Sequence, residues 1–441
     1  MADGPDLHRD PARAPAGAKG RIRVVHAADL HLDSPLRGLG RLSEDGLADS
    51  GLADRLRRAP REAFDNLVDH CLSTLPPLLV LAGDLYDGDW TDYSTGVHFT
   101  DRMRDLHDAG VQVVAVRGNH DAASAITRSL TLPPNVTVLP VDAPGTRVFD
   151  DLGLAVHGQG FATQSVGSNL ALDYPPPVPG LINIGVLHTS VQGYAGHDPY
   201  APCSLEDLTG SGYEYYALGH VHSRRILATG ATTVAFSGNL QGRHVRETGP
   251  KGALEVLLTQ GEPVRIDFLP MDVARWESIE VDLGTADDEC GAYDLVDAAI
   301  GRARQEAGDR PVVARVRLTG TSPLAGRLAD AESVGHEIRP RAARHEVAVE
   351  KIRSDVVTPA DRRRMPAGQR AALGEIIERT LAAPRSLRDE KTFATDLQAL
   401  RSEFQQYARD TDTDLASDEC LAALVREACE ILLARADGGE L

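Results

Sequence analysis

Along the first half of the chain, eight polar residues each fall just past an apolar run: Asp29 and His31 after residues 22–25, Asp84 after "PLLVLA", Asn119 and His120 after "VQVVAV", His188 closing "LINIGVLH", and His220 and His222 after "YEYYAL". Among them, two aspartates, an asparagine oxygen and four imidazoles make a hard-to-borderline donor set suited to Mn2+, Fe2+ or Zn2+, whereas an all-oxygen cage would suit Mg2+ or Ca2+. Seven ligands are too many for one ion. One aspartate shared by two ions roughly 3.5–4 Å apart gives the clamp used for in-line displacement at phosphorus. Asp29 with His31, and His220 with His222, project the same way if the backbone is extended; if it turns, each member can serve a different ion. A single DxH or HxH is weak, because buried, satisfied histidines are common. The ordered set, each element behind a strand, is the specific signal.

The elements that must position these residues are legible as a pattern. From residue 21, short β-rich runs such as "RIRVVHAAD", "PLLVLAGD", "LGLAVHG" and "YEYYALGHVH" alternate with helix-like segments, which predicts buried strands of a layered α/β sheet. In open sheets of this kind, sites assemble at the carboxyl ends of strands. Residues 41–75 have helical spacing with a stripe of Phe64, Leu67, Val68 and Leu72, and "STGVHFTDRMRDLHDAG" reads as a helix closed by Gly110. "TTVAFSGN", "GALEVLLTQ" and "PVRIDFLPMDV" are expected as antiparallel strands completing the layer, with a boundary near residue 272. "WESIEVDL", a helix and "PVVARVRLTG" then fit a small βαβ-like module. From residue 358 the pattern is helical in three pieces, with Ser386 as an N-cap and apolar stripes such as Leu397, Leu400 and Phe404, and Leu421, Leu424, Val425 and Ile431.

The 441 residues predict two to three domains. Five scattered cysteines without a CxxC pair favour a reducing compartment, no apolar stretch approaches a membrane span, and residues 1–20 read as a disordered tail on a cytoplasmic protein. A net charge of −19 argues against a general nucleic-acid coat, so a polyanionic substrate would need metal ions or a basic patch. Residues 301–371 supply 15 Lys/Arg against 9 Asp/Glu, while residues 372–441 hold 8 against 15. No GxxxxGK[ST] occurs, so ATP dependence would come from a partner.

"DLH", "GDLYD", "GNHD", "LHTS" and "GHVH" resemble the five ordered motifs of the calcineurin-like metallophosphoesterases. "HAADLHLDSPLRGL", "SGNLQGRHVRETGPKG" and "RPVVARVRLTGTSPL" resemble the bacterial DNA-repair exonuclease branch, of SbcD or YhaO type, over about residues 21–325. The fold expected is α/β: a layered β-sandwich core flanked by helices at 21–272, a small α+β capping module at 273–357 and a helical C-terminal region at 358–441. The resemblance implies Asp29, His31 and His222 on one metal, Asn119, His188 and His220 on the other, and Asp84 bridging. His120 matches a non-ligand histidine that stabilises the transition state and helps protonate the leaving oxygen. Asp87, three residues after Asp84, could hold and polarise His120; the alternative is a helix N-cap or a solvated loop acid. The activity implied is that of a Mn2+-dependent DNA exonuclease, with endonuclease activity allowed, working with an SbcC-class, SMC-like coiled-coil ATPase and admitting a homodimer. Two other readings keep the residues: hydrolysis of a small phosphoester, cyclic nucleotide or phosphoprotein, and a scaffold that recruits the ATPase to DNA.

Neighbouring residues have plainer expectations. His26 is still in strand register and should pack or support; Asp33 should turn or cap beside Pro35; His157 should serve the core or a cleft wall. Arg243, His244 and Arg246 could contact substrate phosphates, against the alternative of a solvated loop.

Overall fold

The computed structural model describes residues 7–8, 20–34, 51–87, 94–123, 131–191 and 200–357. In chain order, Leu7–His8 (β1), Ile22–Ala27 (β2), the helix Leu52–Thr74 (α1), Leu78–Ala82 (β3), the helix Ser94–Asp108 (α2), Gln112–Val116 (β4), the short helix Asn119–Ala123 (α3) and Val136–Val138 (β5) come first. Next are Gly145–Phe149 (β6), Leu154–Gly158 (β7), Ile182–His188 (β8), the helix Leu205–Thr209 (α4), Tyr215–Gly219 (β9), Arg225–Ala228 (β10) and Thr233–Phe236 (β11). Gly252–Leu258 (β12) and Arg265–Pro270 (β13) lead to Arg275–Asp282 (β14), the helix Glu289–Ala307 (α5), Val312–Thr319 (β15), the helices Ala325–Leu328 (α6) and Ala331–Arg344 (α7), and Val347–Ser354 (β16).

Strand alternation decides the layers. In β3, Leu78, Val80 and Ala82 enter a core shared with Val156, Ile184 and Tyr215, while Leu79 and Leu81 enter a second core with Phe64 and Phe99 of α1 and α2. A strand buried on both faces needs an unbroken apolar run, which is why these segments read so clearly. The result is a six-stranded sheet, β13-β12-β2-β3-β4-β5, whose inner face shares a core with a seven-stranded sheet, β1-β6-β7-β8-β9-β11-β10. β2, β3, β4 and β5 are parallel, as are β7, β8 and β9. Their carboxyl ends carry the motif residues.

β12 and β13 are antiparallel as expected; β11 is antiparallel to β10 on one side but parallel to β9 on the other. The hairpin sends β10 to the sheet edge and folds β11 back beside β9, so two reversals restore the direction of β9. Within the N-terminal segment expected to be disordered, Leu7–His8 pairs with Thr146 and Arg147. The predicted C-terminal helices, with Ser386 and the stripes from Leu397 to Ile431, lie outside the described residues.

β14, β15 and β16 form a third sheet. Sequence reading anticipated β14, α5 and β15; α7 and β16 extend that module. Trp276, Val313 and Ala348 of this sheet share a core with Leu56 and Ala59 of α1 and with Val245. The described residues divide into two compact units, those within 1–281, 293–317 and 331–353, and those within 282–292, 318–330 and 354–441. Every motif residue belongs to the first unit. Among the described residues, no helix is long and apolar enough to cross a membrane.

Candidate metal centre

Pairing between β2 and β3 continues past the strands. Asp29 N–H donates to Gly83 O at 3.0 Å, His31 N–H to Asp84 O at 3.1 Å and Leu32 N–H to Leu85 O at 3.1 Å, which sets the DLH segment beside Asp84. The backbone there is coiled, not extended: φ is 51° at Asp29, 44° at His31 and 52° at Asp84, and His220 on the opposing sheet has φ 100°. Left-handed backbone at a non-glycine residue costs about 1–3 kcal/mol and persists where its surroundings over-determine it. Of the two arrangements the sequence allowed for Asp29 and His31, extended or turning, the chain takes the turning one. Both side chains still reach one cluster with His222.

Three groups gather here, with offered atoms within 4.8 Å of one another: Asp29, His31 and His222; Asp29, Asp84 and His188; and His31, Asp84 and His120. Asp84 stands between them, its Oδ2 3.4 Å from His188 Nε2 and 3.8 Å from His31 Nε2, while its Oδ1 accepts the His120 N–H at 2.9 Å. Asn119 Oδ1 lies 2.9 Å from His188 Nε2. These clusters leave out the ring of His220, which packs edge-on to His188 and Tyr200; its backbone N–H donates to both Asp29 oxygens at 3.0 and 3.1 Å.

Partners on the far nitrogen decide which way each ring faces. His188 Nδ1–H donates to Ala82 O at 3.0 Å, and His222 Nδ1–H donates to Glu247 Oε1 at 2.6 Å. Each therefore turns its Nε2 inward. There His222 Nε2 lies 3.1 Å from His31 Nε2, and His188 Nε2 lies 2.9 Å from the Asn119 oxygen and 3.4 Å from Asp84 Oδ2. His31 Nδ1, buried beside Asp87, has no hydrogen-bond partner. Asp29 and Asp84 are both buried, and two desolvated carboxylates demand nearby positive charge. Burial alone would keep His188 neutral, but Asp84, with Asp29 behind it, outweighs burial and pushes it up to about 9. Such a donor set fits divalent cations.

His120 is different. Its side chain is 36% exposed, against 1% for His31 and 0% for His188, and its Nδ1–H donates to Asp87 Oδ1 at 2.9 Å. Burial works against its protonation, but the hydrogen bond to Asp87 and the charge of Asp84 raise it above the usual imidazole range. Asp87 is no solvated loop acid: its Oδ2 also accepts the Ser34 hydroxyl at 2.6 Å.

Residues 22–224 match the family model for calcineurin-like phosphoesterases, and residues 276–357 match that for the middle domain of metallophosphoesterase YhaO. The Bacillus subtilis protein titled uncharacterized metallophosphoesterase YhaO is 30% identical over 305 residues, covering 68% of this chain and 72% of that one. The chain belongs to the calcineurin-like metallophosphoesterases. Two relatives named DNA double-strand break repair protein Mre11 are more distant. That of Aeropyrum pernix is 26% identical over 296 residues, covering 64% of this chain and 68% of its own; that of Methanopyrus kandleri is 23% identical over 222 residues, covering 46% and 44%. The family's fold implies a dimetal site, and the clusters above are the place for it.

The motif glycines of this metallophosphoesterase have a steric reason. A Cβ on Gly118 would overlap the Asp84 carboxylate, and one on Gly219 would overlap Ala82 O, the acceptor that orients His188. Sequence reading missed several supports. Asp121 accepts N–H groups of Leu85, Tyr86 and Gly118, tying the Asp84 loop to the Asn119 loop. Burial, with the Asp84 charge, raises it to about 7. Glu247 holds His222, Asn239 Nδ2 and the Arg243 N–H, while Lys251 Nζ donates to His222 O at 2.9 Å. That loop is anchored in turn by Trp276 Nε1–H on Gly242 O and by Gln241 on residues 273 and 274. The sequence signals for this loop were its resemblance over "SGNLQGRHVRETGPKG" and its charged residues between two strands, neither of which assigns Glu247 to His222.

Flanking residues separate by role. His26 lies between the sheets, accepting from the Tyr215 hydroxyl and donating to Leu218 O, and burial pushes it down to about 3. His157 is a core residue bonded to Thr146 and Asn183. Asp33 turns, with φ 60°, and binds Arg61 and Thr95. Arg243 enters the site with its side chain 16% exposed, whereas His244 is 49% exposed and Arg246 is exposed.

Proposed function

We propose that this metallophosphoesterase is a Mn2+-dependent DNA exonuclease of the cytoplasm, with endonuclease action at the same site, working with an SMC-like coiled-coil ATPase. The observation that carries the hydrolytic part is His120, steadied by Asp87 and open to solvent beside buried donor clusters. DNA as substrate is supported by the names of the Mre11 relatives and by the basic excess of residues 301–371. In this reading Asp29, His31 and His222 hold one ion, Asn119, His188 and His220 the other, and Asp84 lies between; mixed imidazole and oxygen donors suit Mn2+. When bound, the two ions neutralise charge on the phosphoester and provide an activated water at neutral pH. With Nδ1–H committed to Asp87, His120 presents Nε2 to protonate the departing sugar oxygen. Its raised pKa keeps that proton available near neutrality.

The test is turnover of linear duplex, single-stranded DNA and a chromogenic diester with Mn2+, with and without chelator. His120→Ala should bind metal and lose roughly 10²–10⁴-fold in rate, while Asp84→Ala should lose both metal and rate. Cleavage of the small diester alone would overturn the nuclease reading, and DNA digestion by His120→Ala at the native rate would overturn the assigned acid.

A further inference from the structure

Arg243 lies in the loop between β11 and β12. Its Nη1 is 3.6 Å from Asp87 Oδ2 and 3.3 Å from Ser34 Oγ, and its Nη2 is 3.4 Å from Glu247 Oε1. Its backbone N–H donates to Glu247 Oε2 at 2.7 Å. Asp87 is the carboxylate that holds His120, and Glu247 is the one that holds His222. A single guanidinium therefore touches the two acids that orient the solvent-facing imidazole and a candidate metal ligand.

We propose that Arg243 is a positioning residue that fixes His120 and His222 relative to each other through Asp87 and Glu247, and is not a contact to substrate phosphate. The inference rests on the hydrolytic reading of the site; it is independent of whether DNA is the substrate. The planar fork of arginine suits it, because two nitrogens can address two carboxylates at once whereas a lysine ammonium offers a point charge. Burial works against ionising Glu247, but His222 and Arg243 hold its carboxyl well below the usual range. Removing the cation leaves two acids facing a site that already contains Asp29 and Asp84, and loosens both orienting bonds.

The test compares wild type, Arg243→Ala and Arg243→Lys by Mn2+ titration of the metal-free protein and by kinetics on bis(p-nitrophenyl) phosphate, with thermal melting as the folding control. For Arg243→Ala, kcat should fall about 10–100-fold with KM within about twofold, and the Mn2+ dissociation constant should rise about tenfold. Arg243→Lys should fall between, and Asp87→Asn combined with Arg243→Ala should cost less than the product of the single losses. Unchanged kcat and Mn2+ binding would overturn the proposal. So would unchanged kcat with a raised KM and a salt slope of DNA binding lowered by about one, which would assign Arg243 to a phosphate. If wild type hydrolyses the diester but no DNA, the nuclease reading fails and the Arg243 comparison still decides.

Discussion

His188 and His222 reach the same cluster with opposite kinds of support. His188 ends a fully buried strand, and its Nδ1–H is held by the backbone carbonyl of Ala82 on the facing sheet. His222 lies in a loop, and its Nδ1–H is held by the side chain of Glu247, itself bound by Asn239 and Arg243. One orientation is set by sheet packing, the other by a polar network that single substitutions can dismantle. The strand side should therefore fail together with the fold, and the loop side should fail alone.

The largest expected effect is on the strand side. Gly219→Ala drives a methyl into Ala82 O, and overpacking of this kind costs roughly 1–3 kcal/mol or more. Melting temperature and Mn2+ stoichiometry should fall together; an unchanged melt with two ions bound would show that His188 does not depend on that carbonyl. On the loop side, Glu247→Gln should weaken Mn2+ binding about 10–100-fold while leaving urea unfolding of the metal-free protein nearly unchanged. Equal losses of fold and metal would erase the distinction.

The smallest effect probes what lies beneath the strand side. His26 Nε2–H donates to Leu218 O, next to Gly219, and burial holds the ring neutral down to about pH 3. Its folded pKa lies below the unfolded value near 6.5, so its share of stability is full above pH 6.5 and is lost progressively as pH falls toward 3. Between pH 7 and 5 the stability advantage of wild type over the non-titrating His26→Asn should shrink by roughly 2 kcal/mol. Metal-free urea unfolding at the two pH values measures it. A constant difference would mean that the buried ring takes up its proton.

The strand side was also the legible side. Doubly buried strands require apolar runs, and polar residues stranded at their ends stand out, so Asp84, Asn119 and His188 could be named from the sequence. Glu247 could not, because one acid 25 residues from the histidine it holds carries no period or spacing. Asp87 was only a choice between two roles until its bonds to His120 and Ser34 were visible. The turn at Asp29 and His31 is imposed by backbone bonds to Gly83 and Asp84, contacts distant in sequence that no local propensity encodes. Likewise β11 reads as a strand while β10, the short exposed strand before it, does not, and which of them borders β9 depends on the sheet already formed.

The pairing of β2 with β12, from Ile22 with Leu258 to His26 with Leu254, bears on how the protein is made. Synthesis reaches His222 and Glu247 before it reaches residue 252. A growing chain at that stage holds every candidate ligand and both orienting acids, but the DLH segment hangs from a strand flanked on one side only, by β3. An apolar strand with an open edge is a template for wrong partners, and a pairing this distant in sequence closes late. Full support of the DLH segment therefore waits on the strand that seals this edge.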